Sequence, residues 1–149
     1  MSEIGFYHLQ RQSLEDVLPK LLERVLERGQ RAVVLAGSEE RVAALDGHLW
    51  TYEERSWLPH GTGREGWPEQ QPIFLTTREE NPNAAQILVV VDGTEPAFVD
   101  RFDRVADLFN GRDEATVQAA RERWSRYRAA GHQLTYWQQG ERGGWEKKD

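Results

Sequence analysis

The sequence predicts a single α/β domain, with a largely parallel or mixed sheet flanked by about four helices. Three observations carry this. Short apolar runs at Arg31–Ala36 and Gln86–Val91 suit strands buried on both faces. Stretches with apolar residues every three to four positions alternate with such runs. The opening order of strand, helix, strand, helix implies parallel strands joined by right-handed crossovers.

Ile4–Leu9 alternates enough for a first short strand. Ser13 offers an N-cap, and Leu14, Val17, Leu18, Leu21, Leu22, Val25 and Leu26 mark an amphipathic helix that ends at Gly29. Pro19 lies inside it and predicts a kink or an irregular first turn. Arg31–Ala36 is the second strand, and Gly37-Ser38 turns into a second helix through Glu39, Glu40, Val42, Leu45 and Leu49. Ser56–Pro59 reads as a brief extended piece, followed by a Gly/Pro-rich loop over His60–Gln71.

Pro72–Thr76 and Gln86–Val91 are two further strands, joined by the turn Asn81–Ala84. The spacing of Phe98, Phe102, Val105, Leu108 and Phe109 predicts a helix over Pro96–Phe109. Asp113 then caps a last helix, about Glu114–Ala130, that stops at Gly131. Leu134–Gln138 is a final strand. The expected division is a domain over 1–139 and a flexible tail over 140–149.

The chain has 149 residues, a net charge of −6 and a pI near 5.3, the size of one domain and a poor bulk match for nucleic acid. It has no cysteine, which excludes disulfides, thiolate metal sites and cysteine nucleophiles. The first residues lack the pattern of a signal peptide, and no apolar run approaches the roughly 20 residues of a membrane span. A cytoplasmic protein with no membrane contact is expected.

An α/β scaffold suggests nucleotide binding, but there is no P-loop string and no G-x-G-x-x-G. The first candidate turn, Ala36–Glu40, puts Glu39 and Glu40 where a phosphate would sit. His8, His48, His60 and His132 show no metal-ligand spacing, and no acid, base and nucleophile assemble evidently. No catalytic residue, cofactor or metal is expected.

The informative stretch is Val117–Gly131. Val117, Ala120, Trp124 and Tyr127 form one stripe at helical spacing. Arg121, Arg123, Arg126 and Arg128 stand against the single acid Glu122, so this segment carries +3 and the rest of the chain −9. Two uses are open: a solvated basic face near a helix C-terminus, or a pocket for an acidic peptide with an aromatic residue.

The strings FYHL, GSEERVAALDGHLWTYEERSWLPHG, LVVVDG and ARERWSRYRAAGHQLTYW, in this order, resemble the chi subunit of bacterial DNA polymerase III over about residues 4–139. The resemblance implies a Rossmann-like domain without a nucleotide site. It implies a non-catalytic replisome adaptor with two protein partners. One is the psi subunit of the clamp-loader complex, and the other is the acidic, phenylalanine-ended C-terminal tail of the single-stranded-DNA-binding protein. DNA would be reached only indirectly.

By position, Arg121 and Trp124 match the tail-binding helix, with Val117, Arg126 and Arg128 beside them. Ser125 stands where the family has a lysine, a departure that Arg126 could offset. Trp50 and the string Trp57-Leu58-Pro59-His60 match the aromatic patch that meets psi, although Trp50 also suits a helix end packed into the core. Two other readings stay open: a nucleotide-binding α/β enzyme, and a direct single-stranded-DNA binder in which Trp124, Tyr127 and Trp137 stack on bases.

Overall fold

A computed structural model describes residues 2–52, 59–64, 67–140 and 144–148. Among the described residues, eight strands form one sheet: β1 (Glu3–Leu9), β2 (Ala32–Leu35), β3 (Gly61–Thr62), β4 (Ile73–Thr76), β5 (Ile87–Val90), β6 (Arg104–Asn110), β7 (Gln133–Gln139) and β8 (Trp145–Lys148). Their order across the sheet is β3-β4-β2-β5-β6-β1-β7-β8. All neighbours are parallel except β7 and β8, which pair antiparallel.

Two helices, α1 (Leu14–Glu27) and α2 (Glu39–Thr51), cover one face, where Leu18, Leu22, Leu45 and Leu49 pack on Val34, Leu75 and Val89. The third helix, α3 (Glu114–Ala129), covers the other face. There Ala120 and Tyr127 join Phe6, Leu88, Val105 and Phe109. β2, β4 and β5 are buried on both sides, as their unbroken apolar runs require.

One expectation is corrected. The described residues hold three α-helices, not four, because the region Pro96–Phe109 is not one helix. It is a 3₁₀ turn over Phe98–Arg101 followed by β6. The helical spacing was genuine but misleading: Phe98 and Phe102 plug the core from the turn, while Val105–Phe109 is buried on both faces and has no helical polar side. Within the expected tail, Trp145–Lys148 forms β8, with Gln139 opposite Trp145 and Trp137 opposite Lys147.

Pro19 is buried inside α1, which runs unbroken through it. A proline cannot donate to the carbonyl four residues back, which here belongs to Glu15. The ring of His48 on α2 takes up that acceptor, with Nε2–H donating to the Glu15 carbonyl at 2.6 Å. The gap in one helix thus becomes a tie to the next. His48→Ala is expected to destabilise the fold by about 1–3 kcal/mol, since it leaves a partly buried carbonyl without a donor. Urea unfolding of the variant checks this.

Candidate functional site

β1 and β6 are adjacent and parallel, yet β1 leads into α1 on one face and β6 into α3 on the other. In open α/β sheets such a divergence makes a crevice at the carboxyl ends of the strands, where ligands commonly bind. A cavity of about 780 Å³ lies there, lined by Arg11, Ser13, Arg41, Asp92, Asn110 and Arg112 among others. Several of its polar groups are already engaged with one another. Arg41 reaches Glu15 and Asp92, both at 3.0 Å, and Asp92 also accepts from the Gly37 amide at 3.2 Å. Ser13, Ser38 and Asp113 cap the three helix N-termini with their own side chains. Glu39 and Glu40 sit in the first turn of α2, and negative charge there opposes an incoming phosphate.

The exposed face of α3 is built differently. Phe6 and Tyr136 support Trp124 from the sheet, both edge-on, with ring centroids 5.3 and 6.2 Å away. Trp124 is therefore half-buried and held in one orientation, with Val117 half-buried on the same side of the helix. Arg121 and Arg128 are exposed, and among the described residues neither makes an ion pair. Val117, Arg121, Trp124 and Arg128 fall at i, i+4, i+7 and i+11, which is one helix face. Ser125 is exposed beside them, and its hydroxyl donates to the Arg121 carbonyl at 3.2 Å.

Arg126 lies on the other flank. It forms a paired contact with Glu95, with Nε donating at 2.7 Å. That bond holds the Glu95 carboxyl below its ordinary value, while Arg126 is raised. A ligand would have to displace Glu95 before it could use Arg126.

Two features of this helix are not legible as such in the sequence. Arg123 faces inward and is 2% exposed. Its Nε and Nη2 donate to the two carboxylate oxygens of Asp107 on β6, at 2.8 and 3.0 Å. It therefore belongs to the core and adds nothing to the basic face. Burial pushes the Asp107 carboxyl up, and the two bonds from Arg123 work against that push. Burial and Asp107 also drive the Tyr127 phenol well above its ordinary range.

The second feature is His8 on β1, buried below α3 and bonded to the Tyr136 hydroxyl. Burial lowers its imidazole, and Arg121 acts in the same direction. His8 is thus kept neutral beneath Arg121.

At the other end of the sheet, Trp50 is 49% exposed at the end of α2, so it does not pack into the core. Its ring lies 4.4 Å from that of His60. His60 is buried, with Nε2 3.2 Å from the Asp46 carbonyl. Pro59 is half-buried, and Trp57 and Leu58 lie outside the described residues. The sequence also hid Trp67, which is 67% exposed on a left-handed backbone with φ of 54°. It follows the edge strand β3, inside what reads only as a Gly/Pro-rich loop.

Trp137 does not join Trp124 and Tyr127. It pairs with Tyr7 in register and points to the face that carries α1, whereas Trp124 and Tyr127 pack with α3 on the opposite face. These three rings cannot stack on one strand of bases.

Comparison with known proteins supplies the family. The family model described as DNA polymerase III chi subunit, HolC, matches residues 1–135. A Pseudomonas aeruginosa protein named DNA polymerase III subunit chi is 30% identical over 115 residues, covering 77% of this chain and 79% of that protein. The Escherichia coli protein of that name is 27% identical over 142 residues, 90% of this chain and 96% of its own length. A Rickettsia prowazekii protein, "Probable DNA polymerase III subunit chi", is 28% identical over 99 residues, 66% of this chain but 60% of its own length. The chain belongs to the DNA polymerase III chi subunit family.

Proposed function

We propose that this protein is a non-catalytic replisome adaptor. Through the exposed face of α3 it binds the acidic, phenylalanine-ended C-terminal tail of the single-stranded-DNA-binding protein. Through the end of the sheet at Trp50 and Pro59–His60, together with Trp57 and Leu58, it binds the psi subunit of the clamp-loader complex. Through these two sites DNA is reached indirectly, by way of the protein that coats it, and the setting is the cytoplasm.

One observation supports the tail site above all: an oriented, half-buried Trp124 flanked by Arg121 and Arg128, two exposed guanidinium groups without ion-pair partners among the described residues. A tail that ends in a phenylalanine with its carboxylate needs an apolar surface beside cations. Val117 and Trp124 offer the surface, and the two arginines offer the cations.

The test is a fluorescence titration with a peptide of that composition, alongside a pull-down with the native protein. Micromolar affinity, about −8 kcal/mol, is expected. The pull-down is expected to bring both the single-stranded-DNA-binding protein and clamp-loader subunits. A peptide that fails to bind removes the tail site, and clamp-loader subunits that fail to follow remove the psi site.

A further inference from the structure

The face of the sheet opposite α3 is only partly covered. Beyond α1, no helix among the described residues covers the strands β1, β7 and β8 on that side. Three small residues stand in register across the strands, Ala106 on β6, Gly5 on β1 and Thr135 on β7. They form the floor of a trench with a cavity of about 550 Å³, within the usual range for ligand clefts.

One wall is aromatic. Tyr7 and Trp137 are in register, with parallel rings 6.2 Å apart, and Trp145 meets Tyr7 edge-on at 5.2 Å. The indole N–H of Trp137 donates to Thr135 Oγ1 at 3.0 Å, which holds the ring against the floor. A side chain at position 5 would crowd the Tyr7 ring, since a Cβ there would come within 3.0 Å of it.

The facing wall is α1, which brings Arg24, Arg28 and Lys20 to the trench and one carboxylate, Asp16, near its start. Arg24 and Arg28 line the trench four residues apart on one side of the helix, about 6 Å along its axis. Both are exposed, and among the described residues neither makes an ion pair. Lys147 lies opposite Trp137 on the same face of the sheet, likewise without an ion pair. Arg104 also lines the trench and pairs at 3.6 Å with Glu3, itself part of the lining. Burial raises the Tyr7 phenol, while Arg104, Arg28 and Arg24 pull against it, so all three act on the mouth of the trench.

We propose that this trench is a direct contact surface for single-stranded nucleic acid, separate from the α3 face. A base stacks on Trp137, and Arg24, Arg28 and Lys147 hold the flanking phosphates. Ring surfaces beside a line of cations are what a sequence-tolerant strand binder needs. The net charge of −6 belongs to the whole chain and not to this wall.

The probe is a fluorescein-labelled single-stranded oligothymidylate, read by anisotropy with the full-length chain at several salt concentrations. Salt-sensitive binding is expected. The double variant Arg24→Ala/Arg28→Ala, altered only at exposed helix positions, should lower the slope of log K against log salt by about 1.4. Trp137→Ala should weaken binding roughly 5- to 150-fold. Arg121→Ala, on the other face, should bind the oligonucleotide like the unaltered protein.

Several results overturn the proposal: no salt-sensitive binding, or equal binding by the arginine double variant. So does thymidine monophosphate binding as tightly as the oligonucleotide, which would make the trench a nucleotide site. Displacement of the oligonucleotide by an acidic, phenylalanine-ended peptide in the Arg121→Ala background would instead make it a peptide site.

Discussion

Arg123→Ala is expected to lower folding stability by about 3–5 kcal/mol, because it leaves a buried carboxylate without its cation. Asp107 and Arg123 are each 2% exposed and share two hydrogen bonds. A loss of that size is a large share of the 5–15 kcal/mol that usually holds a domain together. It corresponds to a melting point lower by roughly 6–20 °C. Chemical denaturation and calorimetry measure it.

The loss should depend on pH, with a definite sign. Burial already raises the folded-state pKa of Asp107 above its ordinary value, and Arg123 opposes that rise. Without Arg123 the carboxyl rises further. An acid whose folded pKa lies above its unfolded one favours the fold below the ordinary carboxylate range. That advantage is lost as pH climbs through the raised value. The variant should therefore be closest to the unaltered protein in acid and furthest from it at neutral pH. A deficit that does not change with pH would mean that lost packing, not the stranded charge, is the cause. The paired replacement Arg123→Met with Asp107→Leu should recover most of the stability, since a buried ion pair gives little over an apolar pair of similar volume.

Arg121→Ala is expected to weaken binding of the acidic tail peptide by roughly 2–5 kcal/mol, with folding left intact. Arg121 is exposed and makes no ion pair among the described residues, so its removal strands no buried charge. It stands above neutral His8 and beside Trp124, at the centre of the proposed site. Arg126→Ala should cost much less, because Arg126 already holds Glu95. Ser125→Ala should be close to silent, since that hydroxyl bonds only to its own helix. Isothermal titration across the three variants ranks them, and a ranking led by Arg126 would move the site to the other flank of α3.

Much of the scaffold is legible in sequence because burial on both faces leaves a local mark. β2, β4 and β5 show it as unbroken apolar runs, and α1 and α3 show it through capping residues and periodicity. The error at Pro96–Phe109 has a local cause as well. Apolar residues three to four apart also arise where a core-plugging turn meets a doubly buried strand, and local spacing does not separate the two.

The candidate site divides in the same way. By itself the sequence determined that α3 is basic and aromatic, that no phosphate loop exists, and that Trp50 stands near a Pro- and Trp-bearing segment. Only the tertiary structure decided which cations are available. Arg121, Arg123, Arg126 and Arg128 look alike along the chain. Folding buries Arg123 on Asp107, ties Arg126 to Glu95 and leaves Arg121 and Arg128 exposed without ion pairs among the described residues. The partners that settle this lie 16 and 31 residues away in sequence, beyond the reach of any helical spacing. The trench has the same origin: Tyr7, Arg24, Trp137 and Trp145 meet only because β1, the first strand, pairs with β7, and β7 with β8.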